Sequence, residues 1–354
     1  MSDNIKRKIG QIIRVIDPNV FDCETKLKPR GIKPLGQGWS HLNYLVAING
    51  RKFIFRISTL KGNMYAYGMK RARDRIEKEY NNLKCLDGLG VAPKAYYMDL
   101  SCKAIDKPFL IIDYLEGKKI KHHMCKNDIV DLANALAKLH NLKKAQCIEN
   151  SNFNEVFTKW DARRVKRITE HGQYTIFTNE SFRNELLKAY EKAKRLKFKH
   201  IAYSIIHGDA GGENIMRMAD GIGLIDWEGV ALAPPQYDIA MVIDKSGLRG
   251  GKLSLFLNTY KANSKKKNSL IQLNQYLMQR CMHRLCLTLV ETFKYKLGED
   301  DAIEYFSPEY YIRDAHYEFN RCKELGMFPR NSKLVIKMGI AKGKKSKSAS
   351  KSSG

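Results

Sequence analysis

No apolar run in this 354-residue chain approaches the length of a membrane span, and no apolar block stands near its N-terminus to act as a secretory signal. Neither a spanning helix nor a secreted route is therefore expected. No Cys-x-x-Cys pair occurs among the eight cysteines, which are scattered at Cys23, Cys85, Cys102, Cys125, Cys147, Cys281, Cys286 and Cys322. That spacing predicts neither a zinc site nor a disulfide framework, and a reducing cytoplasm is the compartment that fits. Apolar residues are not in short supply: at 44% of the chain they exclude disorder over most of its length. The length allows a large core and two domains.

Acidic residues are the scarce charge. Lys plus Arg number 63 against 37 Asp plus Glu, a formal net charge of +26. The stretch from Lys333 to Lys351 contributes seven lysines and no acid, which leaves about +19 on the rest. Such an excess concentrates anions, so nucleic acid or another polyanion is an expected class of partner, beside the plainer reading of solvated lysines. The closing run KGKKSKSASKSSG has no apolar anchor, and residues 331–354 are expected to form a disordered basic tail.

What is present is concentrated between Ile205 and Glu228, IIHGDAGGENIMRMADGIGLIDWE. Asp209 and Asn214 stand five positions apart in a Gly-rich loop that follows an apolar run, Tyr203 to Ile206. Two short runs follow, Ile215–Met218 and Ile222–Ile225, joined by Asp220-Gly221, and an Asp-Gly between apolar runs predicts a hairpin because glycine accepts positive φ. A hairpin brings its outer ends together, so Asn214 and Asp226 should meet at one end of the ladder with Asp209 beside them. Such a set suits a hard divalent cation, with one carboxylate left as a base. The same residue types also serve as turn formers and helix caps.

The Asp-to-Asn spacing is that of D-x-x-x-x-N in the protein-kinase catalytic loop. The wording HGDAGGEN followed by IDWEGVALAPPQYDIA resembles the aminoglycoside phosphotransferase and choline kinase family, which uses HGD-x-x-x-x-N, then D-W/F-E, then a second Asp in Y/F-D-L/I-A. The resemblance implies an α+β, two-lobed, protein-kinase-like fold. Residues 1–112 would form an antiparallel-sheet lobe with a helix, and residues 113–330 a mostly helical catalytic and substrate lobe. It implies ATP and Mg²⁺ as cofactors and transfer of a phosphoryl group to a hydroxyl. Asp209 would orient or deprotonate the acceptor, and Asn214 and Asp226 would hold the metal. His207 would brace the loop, Glu228 would add to metal or acceptor binding, and Asp238 would anchor the loop amides or cap its own helix.

The first lobe is legible by periodicity. From Asn4 to Ile16 the residues Ile5, Ile9, Ile12, Ile13 and Ile16 share one helical face, and Asp17-Pro18 ends it. From Ile32 three strands are expected, with Asn49-Gly50 turning the second into the third. Phe53, Phe55 and Ile57 should point one way, and Ile54 and Arg56 the other. On a helix from about Met69 to Leu86, Glu79 shares the stripe of Ile76, Leu83 and Leu86. A carboxylate in an apolar stripe is costly unless paired, so Glu79 rather than Glu77 is expected to meet Arg56. The basic residues of that helix, Lys70, Arg71, Arg73, Arg75 and Lys78, read as a solvated face. By resemblance, Gly36, Gly38 and Ser40 would approach phosphates, and Arg56 fixed by Glu79 would hold the nucleotide. FLIIDYLEG would be the hinge, with the backbone of Asp113 and Leu115 meeting adenine. His41 stands where relatives commonly have Asn.

Further on, Asn127–His140 reads as a helix with His140 structural. A basic stretch, Lys159–Arg167 around Trp160, and a charged helix, Phe182–Phe198, are expected to form a substrate-side insert. Tyr305, Phe306, Tyr310 and Tyr311 beside Asp300, Asp301, Glu304 and Glu309 suit either a cationic ligand or the edge of a helix–helix core. The acceptor expected from the resemblance is a small-molecule hydroxyl (choline-like, aminosugar or other alcohol). A protein or RNA hydroxyl, or a non-catalytic polyanion-binding module, are the rivals that the charge keeps open.

Overall fold

The computed structural model describes residues 2–37, 41–58, 68–88, 90, 92–120, 124–143, 147–148, 153–196, 198, 203–266, 270–299 and 307–337. Gly38, Ser40, Asp300, Asp301, Glu304, Tyr305, Phe306 and the end of the basic tail lie outside them, as does the side chain of Trp160. The chain divides into two compact units, Met1–Asn152 with Phe198–Tyr276, and Phe153–Lys197 with Leu277–Gly354.

The first unit opens with helix α1 (Ser2–Val15), then strands β1 (Pro29–Gln37), β2 (His41–Ile48) and β3 (Arg51–Ser58). Helix α2 (Gly68–Cys85), strands β4 (Ala95–Asp99), β5 (Phe109–Asp113) and β6 (Lys118–Lys119) and helix α3 (Lys126–His140) follow. The first five strands form one antiparallel sheet in the order β1-β2-β3-β5-β4. Asn49 (φ 48°) and Gly50 (φ 87°) turn β2 into β3 with both central residues left-handed, as a two-residue hairpin whose twist matches its strands requires. Phe53, Phe55 and Ile57 are buried with Val46, Ile48, Phe109 and the α1 isoleucines in one cluster. Alternation then sends Arg56 to the opposite face, toward α2. Asp17 stops α1 and accepts from the Asn19 amide at 3.0 Å.

Helices α4 (Phe153–Glu170), α5 (Gly172–Thr175) and α6 (Glu180–Lys194) come next and belong to the second unit. The chain returns to the first unit with β7 (Ser204–Ile206), β8 (Ile215–Met218), β9 (Gly221–Leu224), β10 (Ala231–Ala233), α7 (Gln236–Lys245) and α8 (Gly250–Asn263). β8 and β9 form the expected hairpin, with Ile215 opposite Leu224 and Met218 opposite Gly221. The two linking residues are Ala219 and Asp220, one position earlier than the Asp-Gly pair itself, and Gly221 takes φ 124° at the first rung. β7 pairs with β10, and β6 with β8. Helices α9 (Leu273–Leu297) and α10 (Pro308–Glu324) complete the chain. In the second unit Phe177, Phe182, Phe293, Phe319 and Phe328 share a core. Tyr311 is buried, and Tyr310 has the Arg313 guanidinium 5.8 Å from its ring, so these two tyrosines carry a core edge and a resident cation.

Two expectations are corrected. Cys85, the last residue of α2, is joined to Cys147 by a disulfide across 62 residues, with 6.2 Å between the Cα atoms, so the cysteines are not all free. A long-range pairing of this kind depends on tertiary approach and leaves no spacing motif. Arg75 is not part of a solvated face: it is paired with Glu228, 153 residues away. Among the described residues, no helix is long and apolar enough to cross a membrane.

Candidate active site

The site grows from the loop that leaves β7. Gly208 (φ 81°) passes so close to the backbone of Gly229 that a Cβ would collide with its carbonyl oxygen, which explains a glycine after His207. Asp238, fully buried in the first turn of α7, accepts from the amides of His207 (2.7 Å) and Gly208 (2.9 Å) and from His140 Nε2 (3.1 Å). His140 Nδ1 meets the Tyr260 hydroxyl at 2.8 Å. Burial works to raise the Asp238 carboxyl, but the bond from His140 and the nearby His207 outweigh it and hold it below the usual range. Asp238 therefore anchors the loop rather than serving only as a cap.

His207 ties the loop to the hairpin. Its Nδ1 accepts from the Asp209 amide at 3.2 Å, and its Nε2 donates to the Ile225 carbonyl at 3.1 Å. Burial keeps its pKa below the usual histidine value, so the ring is neutral at pH 7. Protonation would put a second donor on Nδ1, facing the Asp209 N–H. Because the unfolded chain binds that proton more readily, this residue's contribution to stability is present above about pH 6.5 and is lost as pH falls. Urea melts at pH 7.5 and 5.5 should show wild type losing more stability on acidification than His207→Gln, which keeps an N–H donor but does not titrate. Equal losses would refute the assignment.

Asp209 is held on both oxygens. Asn214 Nδ2 donates to Oδ2 at 2.8 Å and to the Asp209 carbonyl at 3.1 Å, while Lys245 Nζ donates to Oδ1 at 2.6 Å. With its amide nitrogen turned to Asp209, Asn214 keeps its carbonyl oxygen as a donor to a cation. The Ile225 amide donates to the Asn214 carbonyl at 3.1 Å, so the ladder carries Asp226 back to the loop. Asp226 adopts a left-handed backbone (φ 72°, ψ 68°), unusual for a non-glycine residue, and Trp227 behind it is fully buried, its Nε1 donating to the Leu224 carbonyl at 2.8 Å. Asn214 and Asp226 thus offer hard oxygen donors suited to a divalent cation.

Arg56 and Glu79 meet, as the stripe on α2 predicts. The Arg56 Nη1 pairs with Glu79 and lies 3.4 Å from Asp226, while its Nε donates to Asn43 at 3.1 Å. Burial opposes the charge on Arg56, but Glu79 and Asp226 outweigh it and raise its pKa; burial pushes the Glu79 carboxyl up. A second link joins α2 to the same segment. Arg75 donates to Glu228 through Nε at 2.9 Å and through its Nη2, and Asn82 donates to the Trp227 carbonyl at 3.4 Å. Burial and the neighbouring Asp226 push Glu228 up to about 7 in spite of Arg75. His41, buried at the start of β2, brings a ring nitrogen within 4.8 Å of carboxylate oxygens of both Asp226 and Glu228. Sequence reasoning missed Arg75, although it sits one helical turn before Glu79 on the edge of the same stripe.

Of the remaining sequence-predicted residues, Gly36 is the last but one residue of β1 and lies opposite Asn43. Asp113 spends its N–H on the Lys94 carbonyl (2.9 Å), and its carboxylate accepts from the Tyr96 hydroxyl (2.9 Å), which leaves no N–H there for a base. The Leu115 side chain lies over Gly223 of β9, 3.2 Å from where a Cβ would stand.

Residues 31–263 match the family described as "APH: Phosphotransferase enzyme family". The chain belongs to this phosphotransferase family. It is 23% identical over 288 residues to "Protein LicA" of Haemophilus influenzae, covering 81% of this chain and 79% of that one. It is similar to the crystal structure of choline kinase LicA from Streptococcus pneumoniae, with a TM-score of 0.58 and 19% identity over 92% of this chain and 99% of the other. A LicA structure in complex with AMP gives 0.57 and 18% over 90% and 99%. These likenesses establish the kinase-like α+β fold of the family, with its five-stranded antiparallel N-terminal sheet and helical C-terminal part.

Proposed function

We propose that this phosphotransferase moves the γ-phosphoryl of ATP to a hydroxyl of a small molecule, a choline-like alcohol or an aminosugar. The observation that carries the reading is Asp209, aligned on both oxygens by Asn214 and Lys245 at the end of a hairpin that returns Asp226 to the Arg56–Glu79 pair. Asp209 orients the acceptor hydroxyl and takes its proton. Arg56, fixed by Glu79 and Asn43, holds the α- and β-phosphates; Gly36, Gly38 and Ser40 are assigned to the phosphates by the family resemblance, the last two lying outside the described residues. Asn214 and Asp226 would hold Mg²⁺, which when bound would supply positive charge to the phosphates. The carbonyl of Asp113 and the backbone of Leu115 take adenine. The likeness to a LicA structure in complex with AMP supports a nucleotide there, and the likeness to choline kinase LicA favours a choline-like acceptor. The division of labour suits phosphoryl transfer, where catalysis is mostly positioning and charge stabilisation. A cytoplasmic location goes with a reaction that draws on ATP and rests on that reaction alone, since Cys85 and Cys147 are joined by a disulfide.

The charge favours a second reading, in which the acceptor hydroxyl belongs to RNA or the chain binds a polyanion. Arg14, Lys26, Lys28 and Arg30 line a cavity of about 840 Å³ whose only acidic lining residue, among the described residues, is Asp17. An ATP-consumption screen across choline, other amino-alcohols, aminoglycosides and total RNA, with Asp209→Ala as control, decides between them. Turnover with a small hydroxyl compound supports the first reading. ATP turnover with RNA, or RNA affinity that falls steeply with salt without turnover, supports the second.

A further inference from the structure

Lys245 is the last residue of α7, and its position beside the loop is built in. Its Cβ lies 3.1 Å from where a Cβ on Gly211 (φ 128°) would stand, and 3.6 Å from that of Gly212. The loop is bare of side chains where the lysine crosses it. The ammonium then reaches Asp209 Oδ1 at 2.6 Å, with the lysine side chain only 27% exposed. Among the described residues it is the only cation in contact with Asp209.

As a stabilising pair this contact is worth little, since partly exposed ion pairs contribute about 0–1 kcal/mol. As an aid to a base it is counterproductive, because a neighbouring cation makes a carboxylate a weaker proton acceptor. The place of the ammonium makes sense relative to what Asp209 must touch. A base lies about 2.6–3.2 Å from the hydroxyl it deprotonates, and the hydroxyl oxygen stands about 3–3.5 Å from the phosphorus it attacks. A cation on the Asp209 carboxylate is therefore within one short swing of the equatorial oxygens of the transferring group, where the charge of a loose transition state is spread. Arg56 sits against Asp226 and Glu79, with no bond to Asp209.

We propose that Lys245 is a further catalytic residue, whose ammonium donates to the phosphoryl group in transit between ATP and acceptor. In the step, the acceptor oxygen–phosphorus bond forms and the bond from the γ-phosphorus to the bridging oxygen of ADP breaks, its electron pair staying on ADP. The hydroxyl proton passes to Asp209, and Lys245 keeps its own protons throughout. The proposal rests on the phosphotransfer reading above.

The test compares affinity for MgADP alone with affinity for MgADP plus aluminium fluoride, a mimic of the phosphoryl group in flight, in the wild-type protein and in Lys245→Met, Lys245→Arg, Asp209→Asn and the double variant Asp209→Asn/Lys245→Met. Lys245→Met should bind MgADP about as wild type does but the fluoride complex about 30-fold or more weakly, in line with the loss of one transition-state donor. Lys245→Arg should recover most of that, and thermal melts confirm that both are folded. The loss should persist when Asp209→Asn is the background, because the contact is with the phosphoryl group and not through Asp209. Undiminished fluoride affinity in Lys245→Met overturns the proposal. So does a loss that vanishes in the Asp209→Asn background, which would make Lys245 a positioning residue. Wild type that binds no MgADP overturns the phosphotransfer reading itself, a separate outcome.

Discussion

Asp209→Ala should abolish phosphoryl transfer, lowering kcat by about 10³–10⁴-fold, while the dissociation constant for MgATP changes by less than about threefold. The separation follows from who touches whom. Asp209 bonds to Asn214 and Lys245, whereas the residues assigned to the nucleotide, Arg56 and Glu79, bond to each other, to Asn43 and to Asp226. Removing the Asp209 carboxylate deletes the proton acceptor and frees two donors, and it leaves the Arg56 network whole. Asp209→Asn should be nearly as inactive, since a carboxamide keeps the shape but takes no proton. Steady-state rates with the best acceptor, and MgATP titrations of the same preparations, read the two quantities separately. Activity retained in either variant removes Asp209 from the chemistry.

The second large effect is on the fold. Asp238→Ala should lower stability by about 3–5 kcal/mol, because it strands donors that have no water to turn to. The amides of His207 and Gly208 and the His140 ring nitrogen all converge on this one fully buried carboxylate. Asp238→Asn should lose less, since its carbonyl oxygen can take the place of Oδ2, which accepts from both His207 and His140, while its NH₂ then faces the Gly208 amide. Urea melts compare the three proteins, with an unchanged m-value indicating that the unfolded reference is common. Catalysis should fall in both variants as well, since the loop that carries Asp209 hangs from these bonds. An alanine variant within about 1 kcal/mol of wild type would show that the anchor is dispensable.

The parts that could be read along the chain are those with a local physical cause. Asp220-Gly221 located the hairpin because few residues accept the φ that its first rung requires, though the turn itself lies one residue earlier. Glu79 declared its need for a partner by lying in an apolar stripe, and the alternation of Phe53, Phe55 and Ile57 pointed Arg56 to the face where that partner waits. The hinge carried less information: a backbone contact has no side-chain signature, and the N–H of Asp113 proves to be engaged by Lys94. The aromatic–acidic cluster near Tyr311 was ambiguous for a related reason, since a stripe that can hold a ligand and one that closes a core have the same composition.

Amino-acid order by itself determined the strand alternation, the stripe on α2, the five-residue interval from Asp209 to Asn214 and the hairpin that returns Asp226, because each depends on residues within a few positions of one another. Only the tertiary structure decided that Arg75 belongs to Glu228, that Cys85 meets Cys147, and that Lys245 rests on Asp209. These contacts join residues from 36 to 153 positions apart and follow from how helices and strands pack. Packing direction leaves no period in the sequence, so a lysine at the end of a helix reads the same whether it meets water or the carboxylate of a catalytic loop.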